Sequence, residues 1–217
     1  MQDRQAKEQM LKKIRQALIE KTDPHYPSLD WDKNVYTVNN YISLEEQFAI
    51  SFTKVGGHFT FCENELEAVE QLIKIAEAKG WKKFYCWENQ LQHLLHQVEF
   101  PYTDATDSFP EGMVGITTCE ALISRLGSVI VSSAIGSGRR LFVAPTFHIV
   151  IARLHQVVPE LKDAFDLIRE KYGDQNMPSM IASLTGPSRT ADIEKTLVTP
   201  AHGPEEIHVF LIDEPVH

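Results

Sequence analysis

Four consecutive residues near the C-terminus, Gly186, Pro187, Ser188 and Arg189, combine backbone freedom with a cationic side chain. Gly186 permits a close backbone approach or a positive φ, and Pro187 stiffens the turn. Arg189 can form two parallel hydrogen bonds with a carboxylate or a phosphate. The segment therefore predicts a turn that binds a small anion.

This turn lies between two short apolar runs, residues 180–184 and 207–212, each of which has the length and composition of a β-strand. Residues 190–198 predict a short helix, and a His-Gly-Pro turn follows at 202–204. The order strand, turn, helix, turn, strand predicts a βαβ unit of a parallel sheet.

In such a unit, Ser188 or Thr190 would cap the helix, and the positive end of the helix would attract an anion at the carboxyl edge of the sheet. In the alternative interpretation, these two side chains only cap the helix. Arg189 then pairs with Asp192 or Glu194 and binds no ligand.

Several polar side chains are expected to gather at that edge, namely Arg139 or Arg140, His148, Ser188, Arg189, Asp192 and His202. His202 could serve as a general acid or base near neutral pH, or its imidazole could make a structural hydrogen bond. His148 lies in an apolar run, which favours a hydrogen-bonded core histidine. Asp192 is also explained by the dipole of the predicted helix alone.

Residues 185–194, which read Thr-Gly-Pro-Ser-Arg-Thr-Ala-Asp-Ile-Glu, together with the later His-Gly-Pro, resemble the signature of the LUD-domain family. Similar segments lie upstream at 115–117, 139–141 and 145–150, and the resemblance extends over residues 112–213. It implies a fold similar to the sugar-phosphate isomerase and CoA-transferase class, which handles small anionic substrates. The resemblance strengthens a functional interpretation of the Gly-Pro-Ser-Arg-Thr and His-Gly-Pro segments without assigning roles. The predicted ligand-binding residues are Arg140, His148, Gly186, Pro187, Ser188, Arg189, Thr190, Asp192 and Gly203.

The resemblance also implies a function in the oxidation of L-lactate to pyruvate. The chain would be an accessory subunit without a cofactor of its own, working with partner subunits that carry iron–sulfur clusters. The alternative is a stand-alone enzyme or binder for a small phosphorylated or CoA-linked anionic metabolite, in which His202 or Glu120 transfers protons. One departure weakens direct transfer of function, because Arg125 and Leu126 replace the glutamate and first threonine of an Ala-Glu-Thr-Gly-Thr run found in many relatives.

The elements that must position these residues alternate between helix and strand. Helices are predicted over residues 1–21, 43–55, 64–80, 88–97, 120–125 and 159–172, and strands over 58–62, 83–87, 114–117, 128–132, 141–143 and 147–152. The predicted fold class is α/β, a mainly parallel sheet flanked by helices. Residues 1–40 are expected to form an N-terminal arm of helix and loop, and residues 41–217 a single domain.

The amino-acid composition limits the binding partners and the cellular compartment that are plausible for this chain. The formal net charge is −9 and no basic run is present, which disfavours nucleic acid as a partner. No segment has the roughly 18 to 20 apolar residues of a membrane span. Cys62, Cys86 and Cys119 are far apart, which favours a reducing cytoplasm and excludes the usual spacing of iron–sulfur ligands. His93 and His96 share a helix face but have no third ligand nearby, so no metal site is predicted.

Overall fold

A computed structural model of the chain describes residues 2–19, 42–106, 110–191, 197–198 and 203–213. Contacts divide the chain after residue 39 into two units. The helices are, in chain order, α1 (Gln2–Ile19), α2 (Leu44–Lys54), α3 (Glu65–Lys79), α4 (Asn89–Gln97) and α5 (Leu161–Tyr172). The strands are β1 (His58–Cys62), β2 (Phe84–Cys86), β3 (Val114–Thr117), β4 (Ala121–Ile123), β5 (Ser128–Ser132), β6 (Phe147–Arg153), β7 (Val157–Val158), β8 (Ile181–Leu184), β9 (Thr190–Ala191), β10 (Leu197–Val198) and β11 (Glu206–Ile212).

The described part of the first unit is α1. Its apolar residues recur at helical spacing, and Met10, Ile14 and Leu18 are all exposed. Among the described residues, no helix combines the length and the apolar character needed to cross a bilayer.

The second unit is organised by a five-stranded sheet with the order β1-β11-β6-β3-β2, in which every neighbouring pair is parallel. The central strands β6 and β11 are almost continuously apolar, as expected for strands that are covered on both faces. Together with the flanking helices, this sheet confirms the α/β fold class.

Local sequence signals determine where α2 and α3, the helices before and after β1 in the chain, begin and end. Ser43 Oγ accepts a hydrogen bond from Glu46 N at 3.4 Å and caps α2, and Asn64 Oδ1 accepts one from Glu67 N at 2.9 Å and caps α3. Gly80 ends α3 with a left-handed φ of 69°. The start of α2 and both ends of α3 therefore agree with the prediction from sequence.

A second sheet of four strands, in the order β7-β4-β5-β8, packs on the parallel sheet. Strand β5 pairs antiparallel with both β4 and β8. One face of the parallel sheet is covered by α3 and α4, and the other by α2 and the second sheet. Helix α5 covers the outer face of the second sheet.

The prediction of a helix over residues 120–125 is wrong. Three of these residues form β4, whose buried side chains fill the interface between α5 and the sheets. A short apolar run fits a buried strand or a helix equally well, and here pairing with β5 decides between them. Residues 141–143 are a turn and not a strand, because Val143 N and Ala144 N both donate to Arg140 O.

The predicted βαβ unit around residues 180–212 is also wrong. Strand β8 belongs to the second sheet, whereas β11 lies between β1 and β6 in the parallel sheet. Between them, β9 and β10 pair antiparallel where a helix over 190–198 is predicted. The β-branched residues Thr190 and Val198 are compatible with this pairing, and propensity over so short a segment is readily overridden by tertiary context.

Candidate functional site

The glycine-proline turn (residues 186–189) packs against the end of α2. Gly186 has a φ of 77°, and a Cβ at this position would lie 2.3 Å from Val55 O. Only glycine combines this φ with so close an approach of two backbones. The sequence-based prediction of positive φ or close approach at Gly186 is therefore confirmed on both counts.

The turn lies at the amino edge of the parallel sheet. Ser188 N donates to Pro204 O at 2.9 Å, two residues before β11 begins. Glu205 N donates to Thr146 O at 2.8 Å, next to the start of β6. The predicted position at the carboxyl edge is wrong, because β8 precedes the turn from the second sheet and not from the parallel one.

This position changes the chemistry that the turn offers. Because β9 follows Arg189 directly, no helix among the described residues begins at this turn to attract an anion, and Ser188 is not a helix cap. Arg189 is exposed, while Pro187 and Ser188 are partly buried. Binding of a carboxylate or phosphate at this turn would therefore depend on the guanidinium and on backbone N–H groups.

Other predicted ligand-binding residues lie next to this turn. A Cβ at Gly203 would lie 3.2 Å from Ser188 Cβ and 4.0 Å from Val143 O. Val143 N in turn donates to the carbonyl oxygen of the exposed Arg140 at 3.1 Å. The structure thus brings the segments of Arg140, Ser188 and Gly203 together. Asp192, His202 and the side chain of Thr190 lie outside the described residues.

His148 is completely buried near the start of β6. Its Nε2 lies 2.8 Å from Thr117 Oγ1, and that hydroxyl donates to Thr118 O at 3.0 Å. The hydroxyl proton is therefore engaged, so Nε2 carries the proton of a neutral imidazole and donates it to Thr117. Burial lowers the pKa of His148 to about 3. The burial and the hydrogen bond at Nε2 agree with the core histidine favoured from sequence, whereas the buried Nδ1 has no hydrogen-bond partner among the described residues.

A second group of polar side chains gathers at the opposite, carboxyl edge of the sheet. We call it the carboxyl-edge cluster, and its members are Glu88, Thr118, Glu120, Ser132, Lys171 and Tyr172. Its two acidic residues follow the ends of parallel strands: Glu88 lies two residues after β2, and Glu120 lies three residues after β3. Parallel strands end at the same edge, so topology alone brings their carboxylates to one region.

Glu88 is buried and bound by Thr118. Its Oε1 accepts a hydrogen bond from Thr118 N at 2.8 Å, and its Oε2 accepts one from Thr118 Oγ1 at 2.5 Å. Burial raises the pKa of Glu88 above its ordinary value, although the hydrogen bonds from Thr118 and the charge of Lys171 oppose the shift. Glu88 therefore holds a proton more readily than a solvated glutamate does.

Glu120 is hydrogen-bonded through both oxygens, and its side chain is 1% exposed. Oε1 accepts from Ser132 Oγ at 2.5 Å and from Tyr172 OH at 2.9 Å, while Oε2 accepts from Lys171 Nζ at 2.8 Å. Burial lowers the pKa of Lys171, but the hydrogen bond and charge of Glu120 outweigh it and raise that pKa above its ordinary value. The lysine is consequently a stable cation beside a desolvated carboxylate.

Glu120 and Lys171 also line a cavity of about 300 Å³, together with His155 and Gln156. This volume is at the lower end of the range for small-molecule pockets. Two carboxyl groups in different surroundings, Glu88 with a raised pKa and Glu120 paired with a lysine, are an arrangement that can support proton transfer. Lys171 thus offers this cavity a cation that can pair with a small acid, and Glu120 lies beside it.

Comparison with known proteins identifies the family of this chain. The family model of the LUD domain matches residues 88–212 of the sequence. The chain belongs to the LUD-domain family. The match begins at Glu88 and ends at the last residue of β11, so it includes both the glycine-proline turn and the carboxyl-edge cluster.

Several proteins named lactate utilization protein C are similar to this LUD-domain chain. The one from Bacillus subtilis (strain 168) is 36% identical over 102 residues, which are 46% of this chain and 42% of the relative. The one from Anoxybacillus flavithermus is 27% identical over 170 residues, or 72% of this chain and 76% of the relative. The aligned region thus spans about two-fifths of the Bacillus subtilis relative.

The fold is shared with a solved structure. The crystal structure of a DUF162 family protein from Deinococcus radiodurans superimposes with a TM-score of 0.55 at 19% sequence identity. The superposition covers 79% of this chain and 99% of that protein. This similarity shows that the two proteins share a fold.

Sequence reasoning found Glu120 but missed Glu88, Lys171 and Tyr172. Glu88 had a usable signal, since it follows a short buried strand and so falls at a carboxyl edge. The last two residues of α5 had none, because they reach Glu120 only through the packing of α5 on the second sheet. The structure also places Glu120 and Arg189 at opposite edges of the parallel sheet, since Glu120 follows β3 whereas Arg189 adjoins the segment that precedes β11.

Proposed function

We propose that this chain is an accessory component of a cytoplasmic lactate-utilization system that oxidises L-lactate to pyruvate together with separate iron–sulfur proteins. The observation that carries the proposal is its membership of the LUD-domain family, with similarity to several proteins named lactate utilization protein C. The fold hosts many chemistries, so the assignment rests on this relationship and not on the architecture.

The positions of the three cysteines support an assignment of the redox centres to partner subunits. Cys62 and Cys86 end the two outer strands of the five-stranded sheet, about four strand spacings or roughly 19 Å apart. Cys119 packs on the opposite face from both. Burial raises the pKa of Cys62 to about 11 and that of Cys86 to about 12, so both remain thiols. An iron–sulfur cluster needs converging thiolates, which this arrangement does not supply.

The accessory role is tested by capturing the tagged chain from its native cells. Iron and acid-labile sulfide in the eluate are quantified, and L-lactate-dependent reduction of a dye is measured. The proposal expects iron–sulfur proteins to copurify with the chain and lactate to reduce the dye. Recovery of the chain alone, without iron and without lactate-dependent reduction, would contradict it.

The carboxyl-edge cluster supports a second candidate function, a stand-alone enzyme or binder for a small phosphorylated or CoA-linked anionic metabolite. In this alternative the exposed Lys171 binds the anion, and Glu120 transfers a proton beneath it. Arg189 lies at the opposite edge of the parallel sheet from Glu120, so it would form a separate binding site. The sequence-based alternative, in which His202 transfers the proton, stays a prediction because His202 lies outside the described residues.

Variants of the isolated chain separate these possibilities. Turnover or specific binding that is lost in Lys171→Met places the anion at the carboxyl-edge cluster, while loss in Arg189→Ala places it at the glycine-proline turn. Lys82→Ala removes an exposed cation from another part of the unit and is the matched control. Absence of any binding or turnover in the wild-type chain would exclude this second function.

A further inference from the structure

Three side chains that can ligate metals lie on one face of the parallel sheet. His58 on β1 is the register partner of His208 on β11, so the two residues are lateral neighbours. Glu206 precedes His208 by two positions on the same strand, and alternate residues of a strand point to the same face. The pairing of two strands therefore places two imidazoles and a carboxylate side by side.

The ligand atoms of these three residues converge. Glu206 Oε2 lies 3.1 Å from His208 Nε2 and 3.7 Å from His58 Nε2, and all three atoms lie within 4.8 Å of one another. With metal–ligand bonds of about 2.0–2.1 Å, tetrahedral coordination separates ligand atoms by about 3.3 Å. The first distance is close to this value and the second exceeds it by about 0.4 Å, so a small movement of His58 would bring its Nε2 into coordination range.

The surrounding residues hold the imidazole of His208 in place, whereas the imidazole of His58 is free to rotate. The imidazole of His208 is 6% exposed, stacks on His58 at 4.3 Å between ring centroids and meets the edge of Trp81 at 5.5 Å. The side chain of His58 is 52% exposed. Rotation of His58 can therefore close the remaining distance while His208 and Glu206 stay in place.

The site is open to solvent. His58 and His208 line a cavity of about 460 Å³ whose other walls include Thr53, Thr60 and Lys79. A cation can enter from this side, and the space leaves a fourth coordination position for water or a small anion. Sites with three protein ligands of the His₂Glu type and one open position are well known for zinc.

Lys79 is the cation that neutralises this carboxylate in the structure. Its Nζ contacts Glu206 Oε2 and also lies 5.7 Å from the centroid of the Trp81 ring. The ammonium can withdraw along the Trp81 face when another cation takes the carboxylate oxygen. Lys79 is thus a competitor of a bound metal, which gives the site a diagnostic test.

We propose that His58, Glu206 and His208 form a Zn²⁺ site with a fourth position open to water or a small anion. The site goes beyond the lactate-utilization function, because it rests on strand register and ligand geometry alone. His58 lies outside the matched LUD-domain region, whereas Glu206 and His208 lie inside it.

Calorimetric titration of the full chain with Zn²⁺ tests the site, and Co²⁺ serves as a coloured probe of tetrahedral coordination. The wild-type chain is expected to bind one Zn²⁺. His58→Ala and Glu206→Gln should each weaken binding by at least about tenfold, since even the loss of a second-shell partner costs about 10–100-fold. Lys79→Met should strengthen binding, because it removes the competing cation.

His96→Ala is the matched control, since it removes an exposed histidine of α4 outside the cluster and should leave zinc affinity unchanged. Circular dichroism of each variant verifies that it is folded. The proposal is overturned if the wild-type chain binds no zinc, or if His58→Ala and Glu206→Gln bind it as tightly as the wild type. It is also overturned if His96→Ala weakens binding as much as they do.

Discussion

Replacement of Gly186 by alanine tests whether the glycine-proline turn is packed against the end of α2. The left-handed φ of 77° costs an alanine about 1–2 kcal/mol. The new Cβ would also lie 2.3 Å from Val55 O, a backbone atom that cannot rotate away. Overpacking of this kind costs about 1–3 kcal/mol. The free energy of unfolding should therefore fall by about 2–5 kcal/mol in Gly186→Ala.

Gly80→Ala is the matched control for this prediction. Gly80 has a similar φ of 69°, but a Cβ there would meet nothing within 4 Å. Only the conformational cost of about 1–2 kcal/mol is expected. Urea unfolding followed by circular dichroism gives both values from the shift in midpoint. Equal losses in the two variants would refute the close packing of the turn on α2.

Three further predictions concern the buried polar groups and a helix cap. Tyr172→Phe, which removes a hydrogen bond to the buried Glu120 carboxylate, should lower the free energy of unfolding by about 1.5–3 kcal/mol in urea titrations, and a loss no larger than that of the exposed control Lys82→Ala would contradict the bond. Because the pKa of His148 is about 3 in the folded chain and about 6.5 when unfolded, the unfolded state binds the extra proton, and stability should fall by up to about 1.4 kcal/mol per unit as pH drops from 6.5 toward 3. His148→Gln should show a shallower acid dependence over that window, and an unchanged slope would refute the buried neutral imidazole. Asn64→Ala, which removes the N-cap of α3, should cost about 1 kcal/mol in the same unfolding assay, whereas a neutral effect would contradict the cap.

The parts of the fold that sequence predicts well are those with local signals. Helix α3 has an Asn64 cap at its start, an apolar stripe along one face and Gly80 at its end, and all three lie within one short segment. Strand β1 has the predicted bounds because it lies between Gly57 and this helix. Such signals act between neighbours in the chain, so tertiary contacts are not needed to recognise them.

The errors arise where pairing between distant segments decides the structure. Nothing in residues 181–184 shows that they pair with β5 rather than with the parallel sheet. This single assignment moves the glycine-proline turn from the carboxyl edge to the amino edge. It also explains why the described residues 190–191 and 197–198 form the pair β9 and β10 where a crossover helix is predicted.

The candidate sites illustrate the same limit. The carboxyl-edge cluster draws Glu88, Glu120 and Lys171 from three separate segments, and only sheet topology and the docking of α5 bring them together. The zinc site likewise depends on the register of β1 with β11, which places His58 beside His208 across 150 residues of sequence. Residue type predicts what these side chains can do, but their proximity follows from the fold.

The most direct test of the proposed function is L-lactate consumption by native cells that lack this chain. If the chain is an accessory component of lactate utilization, its removal should abolish consumption, and the wild-type chain supplied in trans should restore it. Parallel growth on another carbon source controls for general defects. Consumption of lactate at the normal rate without the chain would contradict the account.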